Sequence, residues 1–256
     1  MTGVQTCALP IWNGMKIYDI HSHFGPTSSG EIVSANNMIS ELKSYGISKV
    51  GISCLSGNST REQNDLIYNT MKEFPNEIEG YAFINPKDSD AINEVNLCLD
   101  EYKMNGVKFH SWKQGYYPDN RPELSKIFKE ISKYNVHVEM HVGTAPLSTP
   151  YIWAEWAKKF PNIDFLFTHI GYYEFGMSTI MAVKDLKNVW VETSGQMDVD
   201  VLKNAVKILG ANRVVFGTDW PYKPVNIEID KFYHLGFNDT QLEQIFYKNA
   251  EYLWRM

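Results

Sequence analysis

The sequence predicts a single (β/α)8 TIM barrel, and three observations point to it. From Met15 onward, eight short β-rich runs alternate with helical stretches. The 256 residues suit one such barrel, for which roughly 250 is typical. Five of the seven histidines, His21, His23, His110, His141 and His169, lie at or just past the end of a β-rich run. In a barrel the strand ends meet at one mouth, where reactive side chains gather.

The runs cover residues 16–23, 49–55, 80–85, 106–110, 136–142, 164–169, 189–193 and 213–219. Each is rich in Val, Ile, Phe or Tyr and is bounded by turn residues, the pattern of a strand. Helix candidates lie between them at 65–71, 91–99, 124–131 and 205–210. Apolar positions 91, 92, 95, 98 and 99 have helical spacing. Gly210 stands where a helix stops. Strands alternating with helices imply a parallel sheet. An open doubly wound sheet is the competing solution, but its glycine-rich phosphate loop is missing: His21-Ser22-His23-Phe24-Gly25-Pro26 follows the first run. The connection after that run is short and holds no inserted lid domain.

Composition narrows the function. Hydrophobic residues make up 44% of the chain, ample for one core. A formal charge of -6 and a pI near 5.7 argue against nucleic acid, which needs a clustered basic face. No apolar run approaches the ~20 residues of a membrane helix. A cytoplasmic protein acting on a small molecule is expected, as a monomer or as a homodimer whose second subunit closes the mouth. Cys7, Cys54 and Cys98 have no C-x-x-C spacing and call for neither a disulfide framework nor a thiolate zinc site. Residues 1–14 carry no charged side chain and read as a non-native or disordered extension. Within them, residues 3–12 resemble translated sequencing-adapter readthrough. Met15 is the expected start, and 15–256 the barrel domain.

The chemistry lies in the strand ends. Residues two apart on a strand share a face. Parity therefore groups Asp19 with His21 and His23, Lys108 with His110, Glu139 with His141, Phe165 and Phe167 with His169, and Gly217 with Asp219, all facing inward. Tyr18 and Ile20 are then expected to face the helices. An H-x-H pair presents two imidazoles to one point, as zinc or a similar divalent ion requires, and a further histidine and a carboxylate complete such a site. The ion lowers the pKa of a bound water toward ~7. His137 and His234 read as core histidines. A buried Lys108 needs an anionic partner, with Glu139 or Asp19 in reach. Trp112, Tyr116, Tyr117, Tyr172, Tyr173, Trp220 and Tyr222 follow strand ends and stand as aromatic walls. Arg61, Lys113, Arg121 and Lys223 are loop cations able to hold a substrate carboxylate.

Asp19-Ile20-His21-Ser22-His23, Gly106-Val107-Lys108-Phe109-His110, His141, His169-Ile170-Gly171 and Phe216-Gly217-Thr218-Asp219-Trp220-Pro221 resemble, in this order, the amidohydrolase superfamily. The nearest branch is the amidohydrolase-related metal-dependent hydrolases, which include decarboxylases and lactone hydrolases. Residues 244–250 resemble that branch's closing helix. The resemblance implies that His21, His23, His141 and Asp219 are metal ligands. It implies that Asp219 is also the general base and that His169 polarises a substrate carbonyl or binds a second metal. In binuclear relatives a lysine at the Lys108 position is carboxylated and bridges two ions. A Lys108–Glu139 pair, and with it one ion, is the preferred expectation. Asp19, Glu139, His110, Trp112, Tyr172 and Trp220 are then supporting or substrate contacts. The expected activity is hydrolysis of a small ester, lactone or amide, with zinc as the metal and manganese as the alternative. Decarboxylation of a small aromatic or unsaturated acid on the same site is the second expectation. A barrel that binds metal without turnover is the third.

Overall fold

The computed structural model describes residues 14–27, 30–57 and 59–256. The extension expected over residues 1–14 therefore lies, save Gly14, outside the described residues, as does Cys7. Eight parallel strands follow one another in chain order: β1 (Ile17–His23), β2 (Ile47–Ser53), β3 (Ile78–Phe83), β4 (Gly106–Phe109), β5 (His137–Met140), β6 (Asp164–Phe167), β7 (Val189–Glu192) and β8 (Val214–Val215). The ends of this sheet meet. The Ile20 N–H donates to the Phe216 carbonyl (3.2 Å), the Asp219 N–H to that of His21 (2.8 Å) and the His23 N–H to that of Trp220 (2.7 Å). The sheet therefore curls into the expected (β/α)8 barrel.

Helices α1 (Ala35–Ser44), α2 (Thr60–Glu73), α3 (Ala91–Asn96), α4 (Glu123–Ile131), α5 (Pro150–Lys159), α6 (Tyr172–Val183) and α7 (Val199–Leu209) follow the first seven strands. The last strand leads to helical segments Asp239–Glu243 and Asn249–Leu253, joined by a wider turn over Gln244–Lys248. Local chemistry explains the ends. Ser59 caps α2 by accepting the Glu62 N–H, Asp198 caps α7, and Gly210 ends α7 with φ at +89°. Leu124, Ile127, Phe128 and Ile131 form the buried stripe of α4 at helical spacing.

Two apolar cores result. The outer one lies between strands and helices; there Phe128 of α4 packs edge-on against Phe165 of β6, with ring centroids 5.6 Å apart. The inner one plugs the barrel floor with Tyr18, Ile20, Tyr81, Leu166, Trp190 and Val215 against Ala250, Leu253 and Trp254. There the Trp254 Nε1–H donates to the Tyr81 hydroxyl (2.7 Å), which donates to the Ile20 carbonyl (2.9 Å). Gly51 makes room, since a Cβ at that position would lie 1.9 Å from the Tyr81 oxygen.

This packing corrects the parity reading at β1 and β6. Tyr18 and Ile20 face inward, and Phe165 and Phe167 face the helices. In β1 the register slips between Asp19, opposite Val50, and Ser22, opposite Ile52. One extra residue there forms a bulge at Ile20 and His21, so these consecutive side chains both reach the interior. In β6 the alternation ends at Phe167, because the following segment leaves the strand. For β4 and β5 the predicted parity holds. His234, expected in the core, is exposed.

His137 is buried edge-on against Tyr81, and burial lowers its pKa to about 3. The unfolded chain therefore takes up this proton first. The stability the neutral ring contributes is complete above about pH 6.5 and is lost as the pH falls toward 3. In urea titrations across this range, His137→Phe should lose a few kcal/mol less stability on acidification than the parent. Parallel curves would remove His137 from the acid response.

Candidate metal centre

The bulge and the β8 turn bring three predicted ligands together at the mouth. The Nε2 atoms of His21 and His23 are 3.0 Å apart. Asp219 Oδ1 lies 3.2 Å from His23 Nε2 and 3.8 Å from His21 Nε2. All three residues are buried. Asp219 reaches them with φ at +57°, a left-handed conformation that few non-glycine residues adopt. Gly217 beneath it is required by space: a Cβ would lie 2.7 Å from Glu192 Oε1 and 3.0 Å from the His21 Cβ.

Each imidazole is aimed by a bond to its other nitrogen. His21 Nδ1 lies 2.9 Å from Glu192 Oε2, and His23 Nδ1 lies 3.2 Å from Ser53 Oγ. Both rings thus turn Nε2 to the common point, the arrangement a metal-binding histidine needs. Asp19 does not face that point. It accepts the N–H groups of His21 and Thr218 (3.0 Å each) and the hydroxyls of Ser22 (2.7 Å) and Thr218 (2.5 Å). Burial nevertheless raises its pKa to about 7.

Lys108 and Glu139 form the expected ion pair, fully buried. Lys108 Nζ is 3.3 Å from His21 Nε2, and Glu139 Oε1 is 3.5 Å from the same atom. Glu139 Oε2 is buried without a hydrogen-bond partner among the described residues. Burial raises the Glu139 pKa while Lys108 opposes it. The histidines respond in the other sense. Burial holds His21, His110, His141 and His169 well below the usual imidazole value, and the Lys108 charge adds to this at each. A neutral imidazole is the form that binds a metal. The ring nitrogens of His21 and His23 with the Asp219 carboxylate oxygen make a donor set that fits a divalent cation.

His169 follows β6 in a segment, Thr168–Gly171, where its own φ is +66° and that of Ile170 is +44°. Its N–H donates to Glu192 Oε2 (3.1 Å), and Nδ1 lies 3.1 Å from the Ser194 carbonyl and 3.0 Å from its hydroxyl. Because that hydroxyl donates to Glu192 Oε2 (2.9 Å), Nδ1 carries the proton and donates to the carbonyl. Tyr172 stacks on its ring at 4.0 Å. His141 stands beside it, ring centroids 5.0 Å apart, and stacks on His110 at 3.8 Å. Its Nε2 is turned to Thr144 Oγ1, 2.8 Å away. His141 is therefore near the expected ligand set but not gathered with the other three.

The remaining expected contacts divide. Tyr222 lies 5.7 Å from the His23 ring, and Lys223 sits over Tyr172. Trp220 instead turns to α1, donating from Nε1 to Glu41 (3.1 Å). Trp112 is half exposed. Arg61 is tied to Glu94 through Nε (2.7 Å) and a terminal nitrogen (2.6 Å). A cleft of about 910 Å³ lies on the same rim, between the segments after β2, β3 and β4, with Gln63, Lys87 and Lys113 in its wall. Glu192 and Ser194 had not been singled out in the sequence. The signal was present for Glu192, a carboxylate ending an apolar strand like the ligands themselves.

Comparison with known proteins identifies the family. The amidohydrolase family model matches residues 44–256. A gamma-resorcylate decarboxylase of Polaromonas sp. (strain JS666) is 20% identical over 278 residues, covering 86% of this chain and 83% of the relative. The 5-carboxyvanillate decarboxylase of Sphingomonas paucimobilis superimposes with a TM-score of 0.78 at 14% identity, over 94% of this chain and 99% of the other. A dihydroxybenzoic acid decarboxylase of Polaromonas sp. JS666, solved with manganese and the inhibitor 2-nitroresorcinol, gives 0.77 at 16% identity, over 94% and 97%. The chain belongs to the amidohydrolase family.

Proposed function

We propose that the protein is a metal-dependent decarboxylase of a small aromatic or unsaturated carboxylic acid. His21, His23 and Asp219 would hold one divalent ion, zinc or manganese, with His141 joining once its ring leaves Thr144. The observation that carries this is the meeting of His21 Nε2, His23 Nε2 and Asp219 Oδ1 beside the Lys108–Glu139 pair. The relatives favour decarboxylation over the hydrolysis first expected, and a manganese-bound relative keeps that metal in play. A bound ion would supply a Lewis acid that orients and neutralises the substrate's anionic oxygens. With Lys108 committed to Glu139, one ion is favoured over a carboxylated lysine bridging two.

The orientation of His169 supports the same reading. Its Nδ1–H is given to a carbonyl and burial keeps the ring neutral, so Nε2 offers a lone pair. A lone pair accepts a hydrogen bond from a substrate hydroxyl; polarising a carbonyl, the role first expected, needs a donor. In decarboxylation the ring–carboxyl bond breaks, its electron pair stays on the ring carbon, and that carbon takes a proton. Asp219 would hold and deliver that proton. Tyr172 and Tyr222 would flank a planar ring. No helix among the described residues is long and apolar enough to cross a membrane. A cytoplasmic setting, as monomer or homodimer, completes the proposal.

Purified protein should carry about one divalent ion per chain by elemental analysis, and His21→Ala with His23→Ala should lose it while staying folded. A folded, active protein free of metal would sink the proposal. Asp219→Asn should keep part of the metal and lose turnover by roughly 10²–10⁴-fold; undiminished turnover would remove Asp219 as proton carrier. Hydroxylated benzoic acids should release CO2. If lactones or amides release acid instead and no CO2 forms, hydrolysis is the reaction.

A further inference from the structure

The loop after β7 joins the parts of the centre, and it is gripped from the β8 side. A short helix after β8, Val225–Asp230, carries Glu228, which is fully buried. Its two oxygens accept the Gly195 N–H at 3.1 and 3.2 Å. Lys231 Nζ donates to Glu228 Oε2 (2.5 Å), to the Thr193 carbonyl (2.5 Å) and to that of Gln196 (3.4 Å). One buried ion pair thus holds Thr193, Gly195 and Gln196 together, on both sides of Ser194.

Ser194 is the residue that sets the His169 ring. Its carbonyl takes the Nδ1–H, and its hydroxyl donates to Glu192 Oε2 (2.9 Å), the oxygen that also meets His21. The same loop reaches the other face of His169. Gln196 Nε2 donates to the Tyr172 carbonyl (2.9 Å). Gly195, with φ at +66°, lies so close to Tyr172 that a Cβ would stand 2.7 Å from its ring. A displacement of residues 193–196 would therefore move the hydrogen-bond partner and the stacking partner of His169 at once.

We propose that Glu228 and Lys231 form a positioning pair, which fixes the tautomer and direction of His169 and so sets the rate of the chemical step without touching substrate. The inference rests on the reading that His169 meets the substrate. A buried ion pair is weak evidence of a gain in stability, since apolar residues of the same volume often do as well or better. The pair's grip on three loop backbone groups gives it another use.

The test compares zinc-loaded parent, Glu228→Gln, and Glu228→Gln combined with Lys231→Met. In Glu228→Gln one of two acceptor oxygens becomes a donor, so the amide NH2 meets either the Gly195 N–H or the Lys231 ammonium donor to donor, and Lys231 keeps a buried charge without a counter-ion. Thermal stability should fall and kcat should drop roughly 10–100-fold, the range for groups that orient a reacting residue, with KM and zinc content nearly unchanged. The double variant removes the lone charge, so stability should recover while kcat stays low. Nitrogen-15 spectra of the histidines should show His169 as the Nδ1–H form in the parent and as a tautomer mixture in both variants. Recovery of kcat along with stability would reduce the pair to a structural role, and an unchanged His169 spectrum in both variants would overturn the proposal. If the parent turns over none of the acids, lactones or amides, the functional reading fails, and the His169 spectrum still decides the positioning role.

Discussion

One buried carboxylate ties the first strand to the last. Asp19 accepts the His21 and Thr218 N–H groups and the Ser22 and Thr218 hydroxyls, so it holds the β1 bulge and the β8 turn in one cage. Barrel closure and ligand placement depend on it together. The bulge turns His21 and His23 inward, and the turn carries Asp219 to meet them. Desolvation raises the Asp19 pKa, and the hydrogen bonds from Thr218, Ser22 and His21 pull against it. A hydrogen-bonded buried acid is tolerable where a bare one is not.

Around this cage the centre is arranged by matching buried charges to neutral rings. Lys108 is fully buried, with Glu139 as its ion-pair partner. Its charge, added to burial, keeps the surrounding imidazoles unprotonated. Glu192 serves two histidines, accepting from the His21 ring and from the His169 backbone. It is therefore the brace between the His21–His23–Asp219 cluster and the residue proposed to meet the substrate. The low dielectric that makes each of these groups costly to bury also strengthens the hydrogen bonds among them.

The inner and outer cores explain how a rigid floor supports a polar mouth. Tyr81, reaching over Gly51, links Trp254 to the Ile20 carbonyl in the bulge. The closing helical segments thus brace β1 from beneath, and the Ile245 carbonyl accepts the Phe216 N–H just ahead of the β8 turn (2.9 Å). The segments after β8 therefore take part in placing His21, His23 and Asp219.

Residue types and their order determined a good deal. The eight βα units, the strand-end position of the candidate ligands and the Lys108–Glu139 pair were all legible, because strand periodicity and the cost of an unpaired buried charge act locally or between neighbouring strands. Tertiary structure decided the rest, for a definite reason. Parity holds only while the backbone stays in a regular strand, and the bulge after Asp19 and the left-handed dihedrals of His169 and Asp219 break it at the very residues that build the site. Those irregularities arise from closing the barrel, which brings Asp19 to Thr218 and Glu192 to His21 across the whole length of the chain. Such pairings carry no local signal, and they became visible only when the first and last strands met.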